Sequence, residues 1–360
     1  MKKRFVIVWL LICVMLLLLI TGGCTKKDEV HKVGILMPSM TELRWAQDSD
    51  SLMRQLQRKG YQVEIKNAED DIDEQIKQIN TMINSGYNIL VISAIDGTKL
   101  TDVLQKVAEK KITVIAYDRL IMDTPNVHYY VTFDNFEIGR MQGEHLEMAL
   151  DLKNNTGPFN LEIFSGSPAD NNSLFYYDGA MSVLRPYIDK GQLIVRSGQV
   201  EIAATAIAQW SENIAKERMT ELLNAYYKDG ELHAVLSPND GLAIGIIKAL
   251  REFGFGGTGY PFPLLTGQDS EIENVKAILN GEQTMTVFVD TRTLADRTFQ
   301  IIDAILLNNT PEINDSRTYH NNVKIVPTYM CRPVSVTKDN YKNVLIDSGY
   351  YNMSDFNDDK

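Results

Sequence analysis

Cysteine is nearly absent from this chain of 360 residues, which has three of them, at positions 13, 24 and 331. Only Cys331 lies beyond the first 24 residues, so no intramolecular disulfide can form in the main part of the chain. Zinc and iron–sulfur sites built on cysteine are therefore excluded, and the five histidines show no metal-ligand spacing. We expect no metal and no cofactor.

Positive charge is also scarce, since 36 Lys and Arg residues face 47 Asp and Glu residues and the formal net charge is −11. Residues 1–23 hold three basic residues and no acidic one, so the remainder would carry −11 − 3 = −14. No dense Lys/Arg patch offsets this charge, and nucleic acid would be repelled. The sequence therefore predicts no nucleic-acid partner.

A long hydrophobic run occurs at the N-terminus, where basic residues at 2–4 precede an uncharged segment over 5–20 and the sequence TGGC. Signal sequences and short membrane spans overlap at this length. TGGC resembles a bacterial lipobox, which predicts a lipoprotein signal peptide over 1–23, lipidation of Cys24 and a tether over 24–31. The alternative is an uncleaved signal anchor. Either reading places the rest of the chain outside the cytoplasm, attached to a membrane.

From residue 32 onward, buried runs alternate with amphipathic stretches, as Ile72, Ile76, Ile79 and Met82 illustrate by their helical spacing. A first set of predicted strands covers 32–38, 61–68, 87–94 and 112–118, with helices over 44–60, 71–86 and 97–111. A second set has strands over 159–166, 192–199, 233–240, 263–270 and 284–290, with helices near 172–189, 208–229, 241–254, 271–280 and 291–308. This order predicts an α/β protein with two doubly wound, parallel-sheet lobes.

Planar polar side chains follow the predicted strands, and they should meet because ligands bind beyond the carboxyl ends of such sheets. They are Arg44, Asp118, Arg119, Asp170, Asn172, Asn239 and Asp269. Two tryptophans, Trp45 and Trp210, accompany them. Carboxylates accept hydrogen bonds from hydroxyls, guanidinium groups donate in a fork, and flat aromatic rings cover C–H faces. This is the chemistry that a sugar requires.

Simpler roles remain open for several of these residues. Asp118 and Arg119 could form an ordinary ion pair, although neighbours on a strand point to opposite faces and two separate roles are more plausible. Trp45 could belong to the core, and Trp210 lies on a predicted helix, where core packing is common. Asn239 could cap the helix that starts near 241.

An enzymatic role is disfavoured. Two carboxylates around a sugar could form a glycosidase, and Asp118 and Asp269 would be the candidates. Arg119 nearby would keep Asp118 ionised, whereas a general acid needs a raised pKa. We therefore expect no catalytic residues.

Several motifs together, AYDRLI, YYVTFDNFEIG, GSPADNN, SPNDGLAIGII, GQDSE and DTRTLA, resemble the periplasmic sugar-binding proteins of the xylose-binding and multiple-sugar-binding receptor family. The resemblance runs in order from about Lys32 to Tyr351. It implies a type I periplasmic-binding-protein fold whose two lobes, 32–133 with 288–329 and 134–287 with 330–360, are joined by a three-crossing hinge. It also implies hydrogen bonds to a sugar from the seven polar residues above and stacking by Trp45 and Trp210.

The chain departs from the family pattern at Val289, where the family often carries a lysine that would contact the sugar. Asn239 also stands where the multiple-sugar receptors have tyrosine. These changes leave open a member that no longer binds sugar.

Two functions follow from the resemblance. The first is delivery of an aldose such as xylose, arabinose, glucose or galactose to an ABC importer. The alternative is a sugar-sensing subunit that partners a two-component histidine kinase. Both predict the same binding site.

Overall fold

The computed structural model describes residues 31–39, 43–257 and 260–356. The predicted signal peptide, Cys24 and the tether up to residue 30 lie outside these residues. Within the described ranges, no helix has the length and apolar character needed to cross a bilayer.

The first sheet has six parallel strands, which confirms the predicted architecture. They are, numbered in chain order, β1 (Lys32–Met37), β2 (Gln62–Asn67), β3 (Ile89–Ile92), β4 (Thr113–Tyr117), β5 (Tyr129–Phe133) and β11 (Thr328–Cys331). Their order across the sheet is β11-β5-β4-β3-β1-β2. Helices α1 (Leu43–Arg58), α2 (Ile72–Asn84) and α3 (Thr101–Glu109) connect β1 through β4.

Both faces of this sheet are buried, which explains the unbroken apolar run of β4. Ile115 and Tyr117 pack into the core on one face, and Val114 and Ala116 pack into the core on the other. Side chains of a strand alternate between faces, so a strand covered on both sides is apolar throughout. The run ends where β4 leaves the sheet, at Asp118.

The second sheet is smaller and also parallel. Its strands are β6 (Phe159–Ile163), β7 (Leu193–Ile194), β8 (Ala234–Leu236) and β9 (Leu264–Leu265), in the order β7-β6-β8-β9. Its helices are α4 (Asn135–Ala149), α5 (Asn172–Asp189), α6 (Ile202–Thr205), α7 (Glu212–Tyr226), α8 (Asp240–Phe253) and α9 (Ile272–Asn280).

A short antiparallel pair, β10 (Thr286–Phe288) with β12 (Val334–Val336), lies beside the two sheets. After β10, helix α10 (Thr291–Leu306) returns to the first sheet and packs on α1. Since β11 belongs entirely to the first sheet, we propose that the lobe boundary expected at 329/330 lies after Cys331. We propose that the other lobe boundaries lie where the sequence predicts them.

The local predictions differ from the structure in three respects. The helix predicted over 208–229 is wrong as one element, because Gln209 and Trp210 have φ of 57° and 53° and separate a 3₁₀ turn (Ala208–Trp210) from α7. Strands β5, β11 and β12 were not predicted. The strand predicted over 192–199 is reduced to two residues, Leu193–Ile194 in β7, at the edge of the second sheet.

Candidate functional site

All nine predicted binding residues line one cavity between the two sheets, here called the inner cavity. Its lining is Arg44, Trp45, Asp118, Arg119, Asp170, Asn172, Tyr176, Trp210, Asn239, Gln268 and Asp269. A water-sized sphere has about 30 Å³ of room in it, and a buried water occupies ~10–15 Å³ by this kind of measure. The side chains therefore close on each other and leave room for about two or three water molecules.

Asp118 sits at the exit of β4 in a left-handed backbone conformation, with φ of 61°. Aspartate tolerates this region better than most residues. Its carbonyl oxygen accepts three hydrogen bonds, from Tyr130 Oη at 2.6 Å, Asn172 Nδ2 at 2.8 Å and Thr132 Oγ1 at 3.1 Å. These bonds fix the turn that aims the Asp118 carboxylate into the cavity.

The neighbours Asp118 and Arg119 have different partners, as the sequence analysis favoured. Asp118 Oδ1 accepts a hydrogen bond from Arg44 Nη2 at 3.0 Å. Arg119 Nε lies 3.2 Å from Asp170 Oδ2, which belongs to the second lobe. The turn at Asp118 therefore provides one contact within the lobe and one across the cavity.

Arg44 holds two carboxylates, Asp118 at 3.0 Å and Asp269 at 3.1 Å, with the second on the opposite lobe. Burial alone would lower the pKa of Arg44, but these carboxylates and Asp48 outweigh it and raise that pKa well above its ordinary value. Burial raises the pKa of Asp170 and of Asp269, opposed by Arg119 and Arg44 respectively. The two guanidinium groups are what keep three buried carboxylates in one place.

The two tryptophans have unequal surroundings. Trp45 is 1% exposed, and the guanidinium carbons of Arg44 and Arg119 lie 4.5 Å and 5.2 Å from its ring centroid. It belongs to the first lobe's core and supports both arginines by cation–π contact. Trp210 donates a hydrogen bond from Nε1 to Asp170 Oδ2 at 3.3 Å. Its ring packs directly against Gly166, and a Cβ added to Gly166 would lie 2.0 Å from the ring.

Two asparagines contribute to the polar lining. Asn172 Oδ1 accepts from Asn135 Nδ2 at 2.9 Å and lies 3.1 Å from the Tyr130 hydroxyl, so most of the capacity of this oxygen is used within the protein. Asn239 Oδ1 caps α8 by accepting from Leu242 N at 3.1 Å, as one reading predicted. In the described part of the chain its Nδ2 has no partner, so capping leaves a donor for a ligand.

Further acceptors face the cavity. Gln268 is 3% exposed, and its Oε1 has no partner among the described residues. Asp118 Oδ2 and Asp269 Oδ2 also make no hydrogen bond within the described ranges, since the recorded bonds of both residues use Oδ1. The cavity thus offers acceptors and donors in the mixture that hydroxyl groups need.

Two residues beside the site were not predicted. Tyr176 lines the inner cavity from α5, four residues after Asn172, and this helical spacing was the available signal. Asp48 lies beneath Arg44 on α1, completely buried and beside the Tyr117 hydroxyl. Burial raises the pKa of Asp48 to about 8, with Arg44 opposing that rise. Its helical spacing from Trp45 and Leu52, which are buried on the same helix, was the signal.

A larger space, here called the outer cavity, adjoins the inner one and gives a water-sized sphere about 380 Å³ of room. Its lining includes Arg44, Trp210, Asn239 and Asp269, which also line the inner cavity, and Val289. Val289 therefore faces the outer cavity and does not line the inner one. No group of three or more His, Cys, Asp or Glu side chains that could hold a metal occurs among the described residues.

Comparison with known proteins identifies the family to which this architecture belongs. The sequence profile of the periplasmic binding protein domain matches residues 33–310. The chain is 49% identical over 342 residues to the multiple sugar-binding periplasmic protein SbpA of Azospirillum brasilense, covering 95% of this chain and 96% of that protein. It is 32% identical over 338 residues to the D-xylose-binding periplasmic protein of Escherichia coli, covering 94% and 96%.

A solved structure extends the likeness to three dimensions. An ABC transporter solute binding protein from Clostridium phytofermentans, with bound β-D-glucose, matches with a TM-score of 0.87 and 45% identity, covering 91% of this chain and all of that one. The resemblance and the type I fold expected from the sequence are confirmed. This chain belongs to the periplasmic binding protein family, beside its multiple-sugar-binding and xylose-binding members.

Proposed function

We propose that this protein is an extracytoplasmic receptor that encloses one aldose, such as glucose, xylose, arabinose or galactose, between its two lobes. The observation that carries the proposal is the convergence of nine polar and aromatic side chains from both sheets on one cavity. The names of the relatives agree with a sugar ligand.

The ion pairs across the inner cavity could be replaced by hydrogen bonds to the hydroxyl groups of a sugar. Arg44 and Arg119 each bind a carboxylate of the second lobe across the cavity. A sugar that enters would accept from these guanidinium groups and donate to the same carboxylates. Each ion then keeps a full set of hydrogen bonds when the direct contact is lost, so the cost of burial stays low.

Closure of the two lobes around the sugar would produce the form that the membrane partner recognises. Hinge closure between domains is a common response to ligands bound between them. The closed form would deliver the aldose to an ABC importer, and the lipid anchor proposed at Cys24 would hold the receptor at the membrane surface. The solute-binding protein from C. phytofermentans supports an ABC partner.

Isothermal titration calorimetry of residues 25–360 with xylose, arabinose, glucose and galactose tests the proposal. We expect saturable heat with a one-to-one stoichiometry for at least one of the four. A thermal shift with the same sugar should accompany it, because a ligand that binds only the folded state stabilises it. Absence of both signals for all four sugars would overturn the proposed function.

The anchor is tested separately. The full chain expressed in bacteria should be bound to the membrane, with acyl chains on Cys24. The Cys24→Ala variant should lack these acyl chains. Mass spectrometry of the N-terminal peptide measures the difference. An unmodified Cys24 in the parent would show that the anchor proposal is wrong, without affecting sugar binding.

A further inference from the structure

The outer cavity is large enough for a ligand of its own and shares four lining side chains with the proposed sugar site. Its room of about 380 Å³ falls within the ~300–1,000 Å³ of small-molecule sites. Arg44, Trp210, Asn239 and Asp269 stand at the border and face both cavities. A group attached to a sugar in the inner cavity would therefore pass between these four side chains.

The wall of the outer cavity has the side chains that bind hydroxyl-rich rings. Three aromatic residues, Trp210, Tyr350 and Tyr351, line it, and the guanidinium carbon of Arg292 lies 4.9 Å from the Tyr350 ring centroid. Tyr350 Oη lies 3.2 Å from Thr291 Oγ1 and 3.4 Å from Gln47 Oε1, a chain of groups that can exchange partners with ligand hydroxyls. Gln47 Nε2 has no partner within the described part of the chain and remains a donor.

The charges of the outer cavity restrict the ligand class. Four acidic side chains, Glu212, Asp269, Glu271 and Glu273, line it together with Arg44, which pairs with Asp269. Lys248 Nζ binds Glu212 from outside the lining, at 2.7 Å. Such a surface repels an anionic group and offers acceptors to neutral hydroxyls. Because the carboxylates do not converge as a metal site among the described residues, a bound cation does not account for them.

We infer that the outer cavity binds a second, uncharged sugar ring that is linked to the aldose in the inner cavity. The ligand class then includes neutral disaccharides or glycosides as well as monosaccharides. This inference rests on the proposed function, because the first ring must occupy the inner cavity.

Gly241 provides a way to fill the outer cavity from a position that does not line the inner one. It lies in the first turn of α8 and lines the outer cavity only. A Cβ at this position would meet one atom, Asn239 Nδ2, at an ordinary distance of 3.5 Å. Gly241→Ala therefore keeps the cavity open, whereas Gly241→Phe extends a ring into it.

The test is calorimetry of the parent, Gly241→Ala and Gly241→Phe with glucose and with neutral glucose disaccharides of different linkage, namely cellobiose, maltose and gentiobiose. We expect glucose to bind all three proteins alike. At least one disaccharide should bind the parent and Gly241→Ala with similar affinity, and should bind Gly241→Phe at least about tenfold more weakly, since an occupied subsite loses its contacts. The same disaccharide with its outer ring oxidised to a uronate should bind the parent at least about tenfold more weakly.

Three results would overturn the inference while leaving the proposed function intact: glucose binds but no disaccharide does, a disaccharide binds Gly241→Phe as well as the parent, or the uronate binds as well as the neutral disaccharide. Absence of binding by every sugar, including the four aldoses, would instead overturn the proposed function itself.

Discussion

Arg44 and Asp269, which are 225 positions apart in the chain, meet across the cavity with Nη1 and Oδ1 at 3.1 Å. Their side chains are 12% and 9% exposed. The pair connects the first lobe to the second, and Arg44 holds Asp118 with its other nitrogen. Arg119 and Asp170 form a second connection of the same kind. The charged groups proposed to bind sugar are thus the groups that join the lobes.

Asp269→Asn should weaken binding of the preferred aldose by about tenfold or more, because a neutral amide accepts less strongly and leaves Arg44 partly unpaired in a buried site. Titration calorimetry measures the change. Asp303→Asn is the matched control, since Asp303 pairs with Lys59 and Tyr61 at the surface. Equal losses in the two variants would contradict a direct role for Asp269.

Asp118→Ala and Arg119→Ala should each reduce sugar affinity by at least about tenfold, since loss of a buried partner costs on the order of 1–3 kcal/mol. Arg119→Lys should not restore binding, because an ammonium group cannot reproduce the fork of a guanidinium. Arg196→Ala, which removes a partly exposed arginine bound to Asp229 and Glu231, serves as the control. If both cavity variants bind as the parent does, the site assignment is wrong.

Gly166→Ala should displace Trp210, because the new Cβ would lie 2.0 Å from the indole ring and 2.4 Å from Ser173 Oγ. The indole would then lose its hydrogen bond to Asp170. We expect weaker aldose binding and a smaller change in tryptophan fluorescence on sugar addition. A Cβ at Gly241 meets only Asn239 Nδ2, at an ordinary contact distance of 3.5 Å, so Gly241→Ala should show neither effect. Unchanged binding by Gly166→Ala would argue against Trp210 as a stacking residue.

Asp48→Asn should change how stability depends on pH. Burial raises the pKa of Asp48 to about 8, whereas an unfolded aspartate titrates near ~3.9. The folded state therefore keeps a proton that the unfolded chain releases, and the stability from this group is full below about 4 and is lost as pH rises towards 8. The slope is at most about 1.4 kcal/mol per pH unit.

Urea unfolding of the parent and of Asp48→Asn at pH 5 and pH 8 measures that slope. Because the amide does not titrate, the variant should gain stability relative to the parent as pH rises. A difference that stays constant between the two pH values would show that Asp48 is ionised in the folded protein.

The sequence allowed the site residues to be predicted because parallel sheets bring the ends of distant strands together. Asp118, Asp170, Asn239 and Asp269 each follow a strand, and all of them line the inner cavity. Their partners could not be derived in this way. The pairing of Arg44 with Asp269 depends on how the lobes approach, and the left-handed turn at Asp118 depends on three donors far along the chain.

Two features were not predicted because they depend on contacts between residues that are distant in the sequence. Strand β11 pairs with β5 although almost two hundred residues separate them, so no local pattern indicates the pairing. The break at Gln209 and Trp210 interrupts a sequence with good helical propensity, and tertiary contacts of Trp210 with Asp170 override that propensity. Tyr176 was missed because a tyrosine on an apolar helix face is typical of a core.

The most direct test of the central claim is a crystal structure of the protein with its tightest-binding aldose. The account predicts one sugar in the inner cavity, hydrogen-bonded to Asp118, Arg119 and Asp269, with Trp210 against a face of the ring. A sugar bound elsewhere, or direct Arg44–Asp269 and Arg119–Asp170 pairs that persist unchanged beside it, would contradict the account.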